Sequence, residues 1–266
     1  MSSPSAHADA SLQPQPSLQA LSVPVWDLPL RLFHWSLVLA VSAAIATAKA
    51  GGEWMVWHGR AGLFIVGLVA FRLAWGLVGS THARFLNFLP TPQRLRAYLS
   101  GQWHGLGHNP LGALSVLALL GVLAFQGGTG LISNDDIAFT GPLASLVEEG
   151  LSIKLTGWHH QVGNALLVLI GLHVLAIAFY RVVKKENLVK PMVTGVKPLV
   201  APPVHAPAPR AGSPWALLVS LALAVWAVWA ANGSWVQPDA PSRPAAAAEA
   251  KPDASVTSGA ASAPAW

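Results

Sequence analysis

A run of mostly apolar residues from Trp158 to His173, WHHQVGNALLVLIGLH, carries histidine at both ends and continues apolar to Tyr180. With that continuation it is long enough to cross a bilayer, which takes about 20 such residues. Imidazole inside hydrocarbon is costly, so histidines placed there are functional candidates by default. His159 and His173 are fourteen positions apart. At roughly 100° per residue this falls about 40° short of four turns, so the two rings share one face about 21 Å apart along the axis. His160, thirteen positions from His173, is turned roughly 140° away from it. A helix that offers one ligand near each membrane surface therefore offers His159 and His173.

Composition agrees with a membrane protein: 53% of the 266 residues are hydrophobic and 10% charged, against about 25% charged in soluble domains. The net charge of +5 does not signal nucleic acid, because the basic residues lie in loops between apolar spans and so report membrane orientation. The chain has no cysteine. That excludes disulfides, thiolate metal sites, cysteine-held iron–sulfur clusters and covalent c-type haem attachment. Histidine is left as the main supply of ligands.

In chain order, residues 1–22 read as a disordered leader, polar and rich in Pro and Ser. A cleaved signal peptide ending at Ala46-Thr47-Ala48 is a weaker reading, since its apolar core would contain His34 and Trp35. Five apolar spans follow: Leu30–Ala48, Trp54–Val78, Pro110–Ile132, Trp158–Val182 and Pro214–Ala231. Asp27 and Arg31, four apart in the favourable acid-first order, are expected to pair at the start of the first span. Residues 23–197 form one transmembrane domain, 198–213 a Pro-rich linker and 232–266 a low-complexity tail.

Loop charges orient the spans. Arg84, Arg94 and Arg96 follow the second span, and Arg181, Lys184, Lys185, Lys190, Lys197 and Arg210 follow the fourth against one Glu186. The loop between the third and fourth holds Asp135, Asp136, Glu148 and Glu149 against Lys154. The positive-inside rule puts the first two loops in the cytoplasm and the acidic one outside, so the N-terminus is inside and the tail outside. His34 and His173 then share the inner level, and His58 and His159 the outer. Two histidine pairs at opposite levels of a helix bundle are what two bis-histidine b haems need.

Several segments also resemble a known family. They are VWDLPLRLFHW, VWHGRAG with FRLAWGLVG, HARFLNFLP, GHNPLGAL, WHHQVGN with GLH, and ENLVKPMVTG, spread in order over residues 25–195. Together they resemble the bacterial cytochrome b561 / Ni-Fe-hydrogenase cytochrome b subunit family. The resemblance implies an all-α integral membrane protein: a four-helix transmembrane di-haem bundle, here with a fifth C-terminal transmembrane helix. It implies electron transfer between a quinone pool and a redox partner, a Ni-Fe hydrogenase or a periplasmic c-type cytochrome, in the bacterial plasma membrane. Two non-covalent b haems would be held by His34, His58, His159 and His173 as iron ligands. His160 stands where relatives often have an acidic residue.

Other residues carry smaller expectations. Arg72 either pairs with a propionate of the inner haem or snorkels to the interface; Arg60 and Arg31 have the same two readings. His82, His104 and His108 read as solvated loop residues. The glycines of FQGGTG read as allowing close helix packing rather than binding phosphate. A histidine-based metal-ion transporter and a membrane anchor without redox activity are the rival classes. No hydrolytic constellation is present, so the chain reads as an electron-transfer subunit rather than a stand-alone enzyme.

Overall fold

The computed structural model describes residues 21–103, 105–137, 139–199 and 209–236. His104, most of the leader and tail, and most of the linker lie outside the described residues. The elements in order are β1 (Leu21–Pro24), α1 (Leu28–Ala50), α2 (Met55–Val78), α3 (Phe85–Phe88), α4 (Pro92–Leu99), α5 (Pro110–Ile132), α6 (Glu149–Val182), α7 (Val189–Thr194), β2 (Val196–Leu199) and α8 (Pro214–Ala231).

Five of these helices are long and apolar enough to cross a membrane, and the protein is an all-α integral membrane bundle. Backbone amides in lipid must be bonded within their own segment, which a helix does. Three of the long helices start with one local device. Asp27, Asn109 and Ser213 cap the amides of Leu30, Gly112 and Ala216, with proline in the first turn, where a missing N–H costs nothing. Outward faces stay apolar: Leu39, Val168 and Val225 are all well exposed, as residues facing lipid are.

α1 packs on α2, α2 on α5, and α5 on α6, and an apolar core of Ala40, Ala44, Ile65, Val69, Leu123 and Leu166 joins all four. α8 lies along the outside of α2, close enough that a Cβ on Gly67 would come within 2.6 Å of Val228 Cγ2. It starts beside Trp75 and Ser80 and ends beside Pro142, so it runs the full height of the bundle.

The two strands form an antiparallel ribbon, Leu21 opposite Leu199 and Pro24 opposite Val196. It draws Leu21, Ser22, Pro198 and Leu199, expected in leader and linker, into regular structure. The ribbon ties the start of α1 to the chain beyond α6, so both lie at one end of the bundle. The Val25 and Trp26 amides donate to Gly195 O at 2.8 and 3.1 Å, Arg31 Nη1 donates to Val193 O at 2.5 Å, and Trp35 Nε1 to Met192 O at 3.2 Å. Gly195 has φ +86°, and a Cβ there would stand 2.8 Å from Trp26 O, so glycine is required on both counts.

Two expectations are corrected. The Asp27–Arg31 pair does not form: Asp27 Oδ1 caps Leu30 at 2.8 Å and Oδ2 accepts from Trp75 Nε1 at 3.0 Å. Arg31 is drawn instead to the carbonyl end of α7. The fourth span starts nine residues earlier than Trp158, at Glu149. Its extra turns are held on the end of α5, where Ser152 Oγ donates to Ile132 O at 2.7 Å and Thr156 Oγ1 to Asn134 O at 3.0 Å.

Asp27→Ala removes a helix cap, worth about 1 kcal/mol, and strands the Trp75 indole N–H, at about 1–3 kcal/mol. Asp27→Asn can keep the cap but turns an amide N–H toward the indole. Thermal unfolding in detergent should rank wild type above Asp27→Asn above Asp27→Ala, the last two differing by about the worth of the cap.

Candidate functional site

At the bundle end away from the ribbon, α2 and α6 bring His58 and His159 together. Their ring centroids are 6.0 Å apart and their planes nearly perpendicular, at 88°. His58 Nδ1 lies 2.9 Å from Ala44 O. His159 Nδ1 lies 3.0 Å from Gln126 O and 3.2 Å from Thr129 Oγ1. A carbonyl only accepts, so in both rings Nδ1 carries the proton and Nε2 is left with its lone pair. An imidazole oriented by a carbonyl on its far nitrogen is the arrangement that metal-ligating histidines adopt. Allowing about 2 Å per metal–nitrogen bond, plus the ring radii, an ion between two such imidazoles needs centroids roughly 6 Å apart.

The site is fitted closely. A Cβ on Gly130 would come 2.9 Å from His159 Cε1, and one on Gly127 3.0 Å from Val66 Cγ2. Two of the FQGGTG glycines thus serve close approach, while Gly128 faces open space. The Phe139 ring meets His58 edge-on at 6.3 Å, so the acidic loop folds over this pair. Within that loop the Asp135 carboxylate accepts from the Ile137 and Phe139 amides. Nothing in the sequence marks Phe139. Gln126 and Thr129 were detectable as polar residues within an apolar span.

At the ribbon end, His34 on α1 and His173 on α6 line one cavity of about 750 Å³, within the range of cofactor sites. Val116 and Ile177 supply apolar wall, and Tyr98, His108 and Tyr180 line it where the short helices and loops close over it. His173 Nδ1 lies 3.3 Å from Ser115 Oγ on α5. His34 Nδ1 is buried without a partner among the described residues. His159 and His173 both face α5, in keeping with their helical phase, whereas His160 is exposed.

The arginines separate. Arg60 is exposed, its guanidinium 4.7 Å from the Trp57 ring centroid, which is a snorkelling geometry. Arg31 is bonded to α7. Arg72 is 1% exposed, with its guanidinium over Phe85 at 4.5 Å, so it stays inside the bundle.

The solvated-loop expectation fails for His82 and His108. The His108 ring packs against Trp26 and Phe88, both centroids at 4.5 Å. Burial, reinforced by Arg72 and by His82, His34 and His173, pushes its pKa down to about 3, so it is neutral near pH 7. Burial also lowers the pKa of His82. Both lie in a polar loop, and only its folding back beneath the bundle encloses them.

Among the described residues no three His, Cys, Asp or Glu side chains converge as a metal cluster; the histidines come as pairs. The profile of the family described as prokaryotic cytochrome b561 matches residues 25–195. The chain belongs to the prokaryotic cytochrome b561 family. Two curated relatives, both named "Probable Ni/Fe-hydrogenase B-type cytochrome subunit", come from Azotobacter chroococcum mcd 1 and Azotobacter vinelandii. Each is 26% identical over 215 residues, covering 65% of this chain and 88% of the relative. No solved structure matches the chain significantly.

As a prokaryotic cytochrome b561 the protein is a multi-pass membrane b-type cytochrome of electron transport. The residues present fit haem b: no cysteine to attach it, imidazoles with Nε2 free, and apolar walls. Gly130→Ala forces the His159 ring off its two hydrogen bonds, an overpacking that costs about 1–3 kcal/mol. It should lower the thermal midpoint and move the ¹⁵N resonance of His159 Nδ1.

Proposed function

We propose that the protein holds two b haems, one between His34 and His173 and one between His58 and His159, and carries electrons between the quinone pool and a redox partner. The observation that carries this reading is the far-end pair, two imidazoles 6.0 Å apart with both Nδ1 atoms hydrogen-bonded. Haem iron bound there supplies a one-electron couple. Ala44, Gln126, Thr129 and Ser115 orient the rings, and apolar walls exclude water. Arg72 neutralises a propionate at the ribbon end.

The ribbon end carries Arg84, Arg94, Arg96, Lys184 and Lys185, which supports a cytoplasmic ribbon in a bacterial inner membrane. The N-terminus is then inside and the chain beyond α8 outside. The names of the two relatives support a Ni-Fe hydrogenase as partner; exposed Asp136, Glu148 and Glu149 equally suit a basic periplasmic cytochrome c, approached by long-range attraction.

A pyridine haemochrome assay should give two haems per chain; one per fully loaded chain would overturn the count. His58→Ala and His159→Ala should each lose the far-end haem and keep the other, and His160→Ala should keep both. Loss of a haem in His160→Ala but not in His159→Ala would overturn the ligand assignment.

A quinol analogue added to membranes should reduce the haem of the wild type, with less haem reduced in His173→Ala. If wild-type haem responds to neither quinol nor any physiological reductant, the electron-transfer role fails.

A further inference from the structure

Three nitrogen-bearing side chains gather where α2 nears the ribbon end, and each has a buried nitrogen with no hydrogen-bond partner among the described residues. The atoms are both Nη of Arg72, Nδ1 of His108 and Nε2 of His82. They belong to one neighbourhood. The Phe88 ring lies 6.0 Å from the Arg72 guanidinium and 4.5 Å from the His108 ring. His82 Nδ1 sits 3.3 Å from where a Cβ on Gly107 would be, beside His108.

Buried polar groups in native proteins are almost always bonded, and one left unbonded is strongly disfavoured. The carboxylate that interacts with Arg72 from a distance, Asp27, already accepts from Leu30 N and Trp75 Nε1. The stacked phenyl rings hold the guanidinium but offer it no acceptor. What the cluster lacks is an anion with several lone pairs. A carboxylate suits it, since the planar guanidinium fork can bind two oxygens at once while an imidazole N–H approaches from the side. Of the three, His108 lines the cavity that also holds His34 and His173, so a carboxylate in that cavity meets the cluster at His108.

We propose that Arg72, His82 and His108 form a single carboxylate-binding site at the ribbon end. Its ligand is a propionate of the haem held by His34 and His173, and the site therefore rests on the reading above. It extends the role of Arg72 to two loop histidines and makes the loop between α2 and α5 part of the cofactor site.

The test compares haem b with its dimethyl ester, which keeps the macrocycle and iron but has no carboxylate. The full-length apoprotein in lipid nanodiscs is titrated with each, and the ribbon-end site is identified as the signal missing in His34→Ala. Wild type should bind the ester there roughly ten- to a hundredfold more weakly than haem b, the worth of charge-assisted hydrogen bonds away from water. Arg72→Gln and His108→Leu should weaken haem b and narrow that discrimination, with Arg72→Lys intermediate. Normal loading of the His58/His159 site reports that each variant is folded.

Equal affinity of wild type for haem and ester at the His34-dependent site overturns the carboxylate site alone, and that comparison needs no variant. Full discrimination retained in both Arg72→Gln and His108→Leu overturns the assignment of these residues. Absence of any His34-dependent haem in wild type overturns the proposed function, and this site with it.

Discussion

A ring N–H inside an apolar bundle is costly to leave unbonded, and for three of the four paired histidines the partner comes from another helix. His58 on α2 uses a carbonyl of α1; His159 on α6 uses a carbonyl and a hydroxyl of α5; His173 meets a hydroxyl of α5. Helix packing and ring orientation are thus one fact. Sliding α6 along α5 by a single turn, about 5.4 Å, would break both of its histidine contacts together. The small residues at the interface follow from this, because Gly130 leaves room for His159 where any side chain would intrude.

Much of the fold could be read from the chain because its signals are local. Apolar spans of bilayer length place the starts of α1, α5 and α8 within two residues. The early start of α6 was not readable. Gly150, Lys154 and Gly157 make its first turns poor in apolar residues, and they are held as helix by Ser152 and Thr156 bonding to the end of α5. The ribbon was equally hidden, since Pro24 and Pro198 argue against strands and only pairing across the domain makes them so.

The candidate site divides along the same line. The level and phase of His34, His58, His159 and His173 follow from counting residues, because a helix converts sequence distance into depth and angle. The environment of His82 and His108 does not, because a loop has no such rule. Both look solvated in sequence. The fold closes His108 behind Phe88 and Trp26 and half-buries His82, and only that enclosure makes their nitrogens matter. Arg72, at 1% exposure, lies inside the bundle rather than at its surface, and that burial too depends on packing that the chain alone does not display.

The clasp between the start of α1 and the end of α7 also bears on how the protein is made. Arg31 and its acceptor, the Val193 carbonyl, are 162 residues apart. At a ribosomal pace of roughly 5–20 residues per second, α1 is in the membrane on the order of ten seconds before its partner has been synthesised. Until then Arg31 and Trp35 lack the carbonyls of Val193 and Met192 that hold them in the finished fold. His34 belongs to this first helix and His173 to the last of the four, so the ribbon-end site cannot exist before the domain is nearly complete. The far-end pair shares that dependence through His159. A cofactor held between these histidines, as proposed, can therefore be captured only once the bundle able to shield it from water is assembled.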